Sequence, residues 1–560
     1  MITDGHPLLS LRRRATRLSL RAIVERSQAT SRSDRTDWLA AGLIAFTCVL
    51  HLAYLAIACP FDLAPDEAHY WHWSRHLDSA YYSKGPLIAW LIRASCELLG
   101  PLSVYLTGSE VFAVRLPAVV CHAAVLAGVY VLTAETLRDR RFALVTLALA
   151  LTVPPMTAGA VLMTIDAPFL ACWTWSLVFL HRAITDGRTW NWLLAGGFCG
   201  LGLLAKFPML LLPMSLVIYL LTDHQRRKQF HRPGLWIMLG IVGLASVPIV
   251  EWNLRHGWVE VRHVVHQVGG NGLNPLAPFA FLGGQFGFLI GYWFLAFLAS
   301  AWSFRPPVAD RGHAFLWHFS IPVWLVFLLA STRTEGQVNW PAAAYVAGFP
   351  LAVAWVLRQV RDPSQGYRRF ATGCLVFAIA LGSILTLMAH FPATLLRPIL
   401  ARLMDAPTPA HPLPLRKLDP TCRLQGWSTL GKGVDAIRAR VRAQTGQDPL
   451  LAGMVWTIPG ELSFYCEGHP EAYSFGLALA DRHSQYDLWR PNPVADAQVF
   501  EGRTFLYVGE EIPGMTDVFD RVEAPIRVEY AQDGQVLAAW TIWIGHGFRG
   551  FREISHRADY

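Results

Sequence analysis

Apolar residues in this chain come in long runs rather than in alternation. Runs of spanning length lie near residues 38–58, 110–134, 142–160, 165–181, 190–205, 207–222, 235–250, 278–302, 314–330, 340–357 and 371–391. At 1.5 Å per helical residue, a run of about 20 crosses the roughly 30 Å hydrocarbon core of a bilayer. The pattern predicts a polytopic α-helical membrane protein with about eleven transmembrane helices. Lys206-Phe207-Pro208 interrupts the tract 190–222, which reads as two short helices meeting at a re-entrant corner.

The basic residues between runs set an orientation. Arg138, Arg140 and Arg141, then Arg182 and Arg188, then Arg226, Arg227, Lys228 and Arg232, then Arg305 and Arg311, then Arg358, Arg361, Arg368 and Arg369 fall in alternate connections. By the positive-inside rule these connections and the Arg-rich tail 1–37 are cytosolic. The tail is read as a topogenic segment touching anionic lipid. Trp38–Ala58 ends in Ala56-Ile57-Ala58-Cys59, which looks like a cleavage site. The run is about twice a signal-peptide core, so it is read as a retained first helix. The opposite, extracytoplasmic side carries a first loop at about 59–109, a second at 251–277 with Gly269-Gly270-Asn271-Gly272, and a short third, Ser331–Trp340. The first loop is expected to hold short interfacial helices.

Composition shifts near Asp405. A Pro-rich linker at 405–414 leads to a small extracytoplasmic α/β domain at 415–560. Its expected elements are a helix over Val434–Arg442 and strands over Met454–Thr457, Thr504–Val508 and Gln535–Ile544. Cys422 and Cys466 are a candidate disulfide pair if that compartment is oxidising. The whole chain is 53% hydrophobic and 16% charged, with net charge +8. Because the arginines serve topology, the positive charge does not point to nucleic acid. The nine cysteines show no C-x-x-C pair. No phosphate loop and no G-x-S-x-G elbow occur.

Candidate chemistry concentrates in Pro65–Pro86, P-D-E-A-H-Y-W-H-W-S-R-H-L-D-S-A-Y-Y-S-K-G-P. Charges interleaved with Trp and Tyr suit a polar pocket at a membrane interface. Asp66 and Glu67 follow Pro65 at a helix start, so one acid can cap the helix while the other does chemistry. Lys84, fixed by Gly85-Pro86, is either a snorkelling lysine at the headgroups or, with Arg333 of the third loop, a candidate cation for a lipid-linked phosphate. Asp166 and Lys206 sit at helix mouths, where each could be a cap or an anchor; a carboxylate so near lipid is a functional candidate. His69, Tyr70, Tyr82, Asn339 and Trp340 are candidate substrate contacts. His69, His72 and His76 with Asp66 or Glu67 could bind a divalent metal, His72 and His76 sharing a helix face. Isolated interfacial histidines are common, so a metal is the less favoured reading and no cofactor is required. A transporter or lipid flippase, or a non-catalytic glycan-binding scaffold, would also use many helices.

P-D-E-A-H-Y-W, Y-Y-S-K-G-P-L-I-A-W-L-I, V-R-L-P-A-V, D-A-P-F-L, W-L-L-A-G-G-F-C-G-L-G-L-L-A-K-F and R-T-E-G-Q-V-N-W-P-A-A-A-Y occur in that order. Together they resemble the bacterial branch of the protein O-mannosyltransferase superfamily, which includes the aminoarabinose transferases of lipid A. The resemblance implies a GT-C fold and an extracytoplasmic active site in the inner (plasma) membrane. It implies a polyprenyl-phosphate sugar as donor and a lipid, glycan or protein as acceptor. The essential acid of that family falls on Asp66, its phosphate-contacting lysine on Lys84, a further acid on Asp166 and a basic position on Arg333. Ser83 stands where the aminoarabinose branch tends to have Glu, which counts against that sugar. A reporter enzyme that works only outside the cytosol, fused after Tyr560, is expected to be active; silence would reverse the orientation.

Overall fold

The computed structural model describes residues 35–269, 272–306, 308–334, 336–404, 413–479 and 481–551. The tail before residue 35, Gly270-Asn271 and most of the expected linker, 405–412, lie outside the described residues. The first helices are α1 (Arg35–Ala58), α2 (Pro65–Arg75), α3 (Leu87–Thr107) and α4 (Val111–Leu137). They continue with α5 (Arg140–Ala150), α6 (Pro154–Ala158), α7 (Asp166–Asp186) and α8 (Thr189–Ala205).

Seven described helices are long and apolar enough to cross a bilayer, or nine if each of two bent pairs is one span. Fewer described helices pass by length and composition than the eleven runs expected, and two of those runs are bent. The run 142–160 breaks into Arg140–Ala150 and Pro154–Val161, bent by 83°. Pro154-Pro155 can start a helix but cannot continue one, since neither ring nitrogen donates. The run 278–302 bends by 113° between Phe288 and Tyr292. Ile290 and Gly291 there have φ of 50° and 69°, a left-handed pair that reverses the chain. The interruption at Lys206-Phe207-Pro208 does separate two helices, Thr189–Ala205 and the shorter Phe207–Leu221. Leu244, Val376, Phe377 and Ile384 stay exposed on the outer faces of their helices, as lipid-facing residues would.

The first loop also differs from expectation, because it contains a helix of 21 residues, α3. Ser95 Oγ donates to the Ala113 carbonyl at 2.6 Å, and Ser103 Oγ to the Ser109 carbonyl at 2.7 Å. Those serines are about 12 Å apart along α3, yet both contact the first residues of the α4 end. So α3 crosses the mouth of α4 rather than running antiparallel down it.

Sequence-distant polar residues gather at the two ends of the bundle. Arg138, Arg182, Arg226 and Arg311 come from four separate connections and line one cavity of about 960 Å³. Their spacing along the sequence predicts one side for all four. Arg115 and Glu135 mark opposite ends of α4, about 30 Å apart at helical rise, which matches the hydrocarbon thickness.

The C-terminal part forms six strands: β1 (Leu450–Gly453), β2 (Ala472–Ser474), β3 (Phe505–Val508), β4 (Phe519–Val522), β5 (Ile526–Gln532) and β6 (Gln535–Phe548). The sheet order is β2-β1-β3-β6-β4, with β5 also on β6. β1 is parallel to β2 and β3, and the remaining pairs are antiparallel. The expected strand 454–457 is displaced, because Thr457–Tyr465 is a helix. Pro459 lies in its first turn, where no amide partner is lost. The helix expected over 434–442 is longer, Trp427–Thr445. Cys422 and Cys466 are both free and buried in different apolar clusters, so they form no disulfide.

This domain is pressed onto α2. A Cβ on Gly460 would lie 2.9 Å from the Ala68 carbonyl carbon and the His69 nitrogen. Phe464 joins Trp71, Trp73 and Tyr81 in one buried cluster. Gly460→Ala should therefore force the two helices apart, costing about 1–3 kcal/mol. Thermal unfolding in detergent should show a lower midpoint, and limited proteolysis should release the domain sooner; unchanged behaviour would mean that the contact is loose.

Candidate active site

The two adjacent acids have separate positions. Glu67 and Arg115 are both fully buried and paired at 2.7 Å. Glu67 Oε2 also accepts from the Ala64 amide at 2.8 Å, and Oε1 from the Met163 amide at 2.8 Å. Arg115 donates further to the carbonyls of Phe61 and Asp62. Every hydrogen-bonding position of this carboxylate is occupied by structure, so Glu67 is a cap and a strut. Asp66, one residue earlier, stays outside that network: it is solvent-accessible, although protein surrounds its carboxyl group. It makes no ion pair within 4 Å among the described residues, and its neighbour Tyr70 donates a hydrogen bond to it.

Lys84, at the far end of the same loop, lies close enough to Asp66 for each to feel the other's charge. The Tyr81 amide donates to the Lys84 carbonyl at 3.0 Å, closing the turn. Gly85 then passes so close to α8 that a Cβ would sit 2.2 Å from the Leu204 carbonyl oxygen. Lys84 lines a small cavity of about 90 Å³ with Lys206, Phe207, Gln267, Phe327 and Trp340. Its ammonium makes no ion pair among the described residues. Asp166 opens α7 and accepts from Lys206 Nζ at 2.7 Å and from Asn339 Nδ2 at 2.6 Å.

Electrostatics tie these groups together. Burial raises the Asp66 pKa above the usual carboxylate range, Lys84 and Arg482 partly offset that, and Glu67 adds to it. Burial pushes Lys84 down to about 8, helped by Lys206 and opposed by Asp166, Asp66 and Glu260. Glu260, on the helix Val259–Gly269, is pushed up to about 7 by burial. Asn253 donates to its Oε2 at 2.8 Å, and its Oε1 has no hydrogen-bond partner among the described residues. His263 beside it is held down to about 4 by burial and by the positive charges of Lys84 and Arg482.

The remaining expected residues divide. Tyr70 touches Asp66, Asn339 holds Asp166 and Trp340 lines the cavity. The Tyr82 amide donates to Gln485 Oε1 at 2.7 Å, and its ring meets His263 at 4.8 Å. His69 is buried among the rings of Trp73, Trp456 and Tyr486. Arg333 is exposed on its turn and does not line the cavity, and Lys206 supplies the second cation there. Glu260, His263 and Arg482 escaped sequence reading. Arg482 comes from the C-terminal domain, with its guanidinium 4.5 Å over the Trp456 ring. Arg115 escaped sequence reading too, although a lone Arg inside an apolar run is a signal that could have found it; nothing local distinguishes Arg482.

Comparison with known proteins bears on the fold and the family of relatives. Residues 83–252 match the family model described as dolichyl-phosphate-mannose-protein mannosyltransferase. The structure of ArnT from Cupriavidus metallidurans bound to undecaprenyl phosphate aligns over 91% of this chain and 98% of that one, with TM-score 0.57 and 17% identity. Its apo form aligns over the same shares, with TM-score 0.57 and 15% identity. The chain has a GT-C membrane fold. Within that fold the crevice lies where the first loop, the mouths of α7 and α8, and the C-terminal domain meet. A lipid A galacturonosyltransferase, RgtD of Rhizobium johnstonii, is 31% identical over 300 residues, 53% of this chain and 61% of the relative. The chain thus spans about three fifths of the length of that curated relative.

If protonated Lys84 binds an anionic substrate, kcat/KM for the donor should fall as pH rises through about 8. The groups facing Lys84 are Lys206, Asp166, Asp66 and Glu260. Lys84→Arg should move this alkaline limb upward, because guanidinium stays charged. A limb that stays in place would assign it to another group.

Proposed function

We propose that this protein is a membrane glycosyltransferase that moves a sugar from a polyprenyl-phosphate donor to an extracytoplasmic acceptor, with a lipid favoured over a glycan or protein. One feature supports the reading: an acid, Asp66, and a cation, Lys84, neither of them in an ion pair among the described residues, lie close enough for each to feel the other's charge. Asp66, whose pKa burial raises, accepts a proton from the acceptor hydroxyl or orients it. Lys84 and Lys206 stabilise the negative charge that develops on the departing polyprenyl phosphate. Asp166 positions Lys206, and Asn339 positions Asp166. The ArnT structure that shares the fold was solved with undecaprenyl phosphate, which supports a donor of that class. A transport path would place its charged groups at mid-depth of the bundle, whereas these gather at its ends.

The galacturonosyltransferase relative favours a uronic acid as the sugar and lipid A as the acceptor. Arg482 over Trp456 suits such a sugar, since a guanidinium binds a carboxylate in bidentate fashion. The crevice faces the extracytoplasmic side of the inner membrane, opposite the arginine-lined cavity.

The test is a transfer assay in purified membranes with a set of radiolabelled polyprenyl-phosphate sugars. Asp66→Asn should lose roughly 10²–10⁴ in turnover. Lys84→Ala should lose about 10²–10³. Arg482→Ala should raise KM for a uronosyl donor more than for its neutral counterpart. Full turnover in both Asp66→Asn and Lys84→Ala would remove the assignment.

A further inference from the structure

Away from the crevice, α2 and the C-terminal domain share a second cluster with the chemistry of a metal site. His72 and His76 are one helical turn apart on α2 and present their rings on one side. Glu471 comes from the domain, immediately before β2. His72 Nε2 lies 2.9 Å from Glu471 Oε1, and His76 Nε2 lies 3.3 Å from Glu471 Oε2. The ligand atoms of all three lie within 4.8 Å of one another. Donors about 2.0–2.1 Å from a tetrahedral zinc ion stand roughly 3.3 Å apart, so a small contraction would close the site.

We propose that His72, His76 and Glu471 bind a divalent cation of the zinc class, which staples α2 to the C-terminal domain. Two imidazoles and one carboxylate are a donor set that zinc accepts. The other nitrogen of His72 is already held, with its Nδ1 lying 3.2 Å from the Tyr486 hydroxyl. A metal-ligating histidine typically has such an outer partner, which fixes the tautomer and leaves Nε2 free to ligate. His72 is 1% exposed, whereas His76 and Glu471 are 41% and 40% exposed. One ligand is therefore rigid, and the other two border solvent that can admit the ion and a water as fourth ligand. The three-histidine grouping expected from sequence is not the one formed. His69 lies in its aromatic box, Glu67 belongs to Arg115, and the acid comes from a residue almost four hundred positions away.

The site is not placed to act on the reacting atoms. His72 is six residues beyond Asp66, about 9 Å along the helix axis. Its effect is on position: the same domain carries Arg482, so the staple holds that guanidinium against the helix that carries Asp66.

The test uses the full-length chain in detergent, stripped with a chelator, and is independent of which sugar is transferred. Zinc is titrated in competition with a fluorescent chelator. The expected result is one zinc per chain. Tyr486→Phe should weaken binding about 10–100-fold, the usual cost of losing an outer partner, and His76→Ala and Glu471→Gln should weaken it more. Cobalt(II) in the native chain should give the intense visible absorption of a four-coordinate ion. Zinc binding in the His76→Ala/Glu471→Gln double variant equal to that of the native chain would overturn the proposal. So would a native chain whose cobalt spectrum is the weak one of a six-coordinate aquo ion, a measurement that does not depend on the variants folding.

Discussion

The Glu67–Arg115 pair is the constraint on which the site depends. A buried ion pair is stabilising only when its lone pairs and protons are otherwise satisfied, and removing one partner strands the other at a cost of about 3–5 kcal/mol. Here the carboxylate also holds two amides, and the guanidinium two carbonyls. One interaction thus links the start of α2, the segment Cys59–Asp62, the first turns of α4 and the approach to α7. The last of these carries Asp166 three residues beyond Met163. Asp66 is free to face the crevice because its neighbour does the structural task.

The C-terminal domain belongs to the site as much as the membrane helices do. Gly460 lets its helix approach α2 at backbone distance, and the Tyr465 hydroxyl accepts from the Leu63 amide at 2.7 Å. Asp62 in turn accepts from the Ser428 amide at 3.2 Å. Polar contacts of this kind, enclosed by aromatic rings, are strengthened by exclusion of water. They bring Arg482 to the crevice, where it lowers the cost of charging Asp66.

Charge in the crevice is arranged for an anion. Asp166 and Lys206 satisfy one another, which leaves Lys84 beside carboxyl groups that burial inclines toward neutrality. Glu260, pushed up to about 7, is the clearest of these. A phosphate entering such a place meets a cation without a committed partner, in surroundings of low dielectric where that attraction is strong.

The sequence by itself determined that the chain is a bundle of membrane helices and which ends face together, and it singled out Pro65–Pro86 as the candidate site. Those properties follow from local quantities: run length against bilayer thickness, arginine placement, and acids beside aromatics. Asp66, Lys84, Asp166, Asn339 and Trp340 could be singled out as candidates on that basis. Tertiary structure alone decided the division of labour between Asp66 and Glu67, the replacement of Arg333 by Lys206, and the roles of Glu260, His263, Arg482 and Glu471. It also decided where the runs 142–160 and 278–302 bend. The reason is that each of these depends on what a side chain or turn meets across the fold. A carboxylate becomes a strut or a reagent according to whether a guanidinium from another helix reaches it.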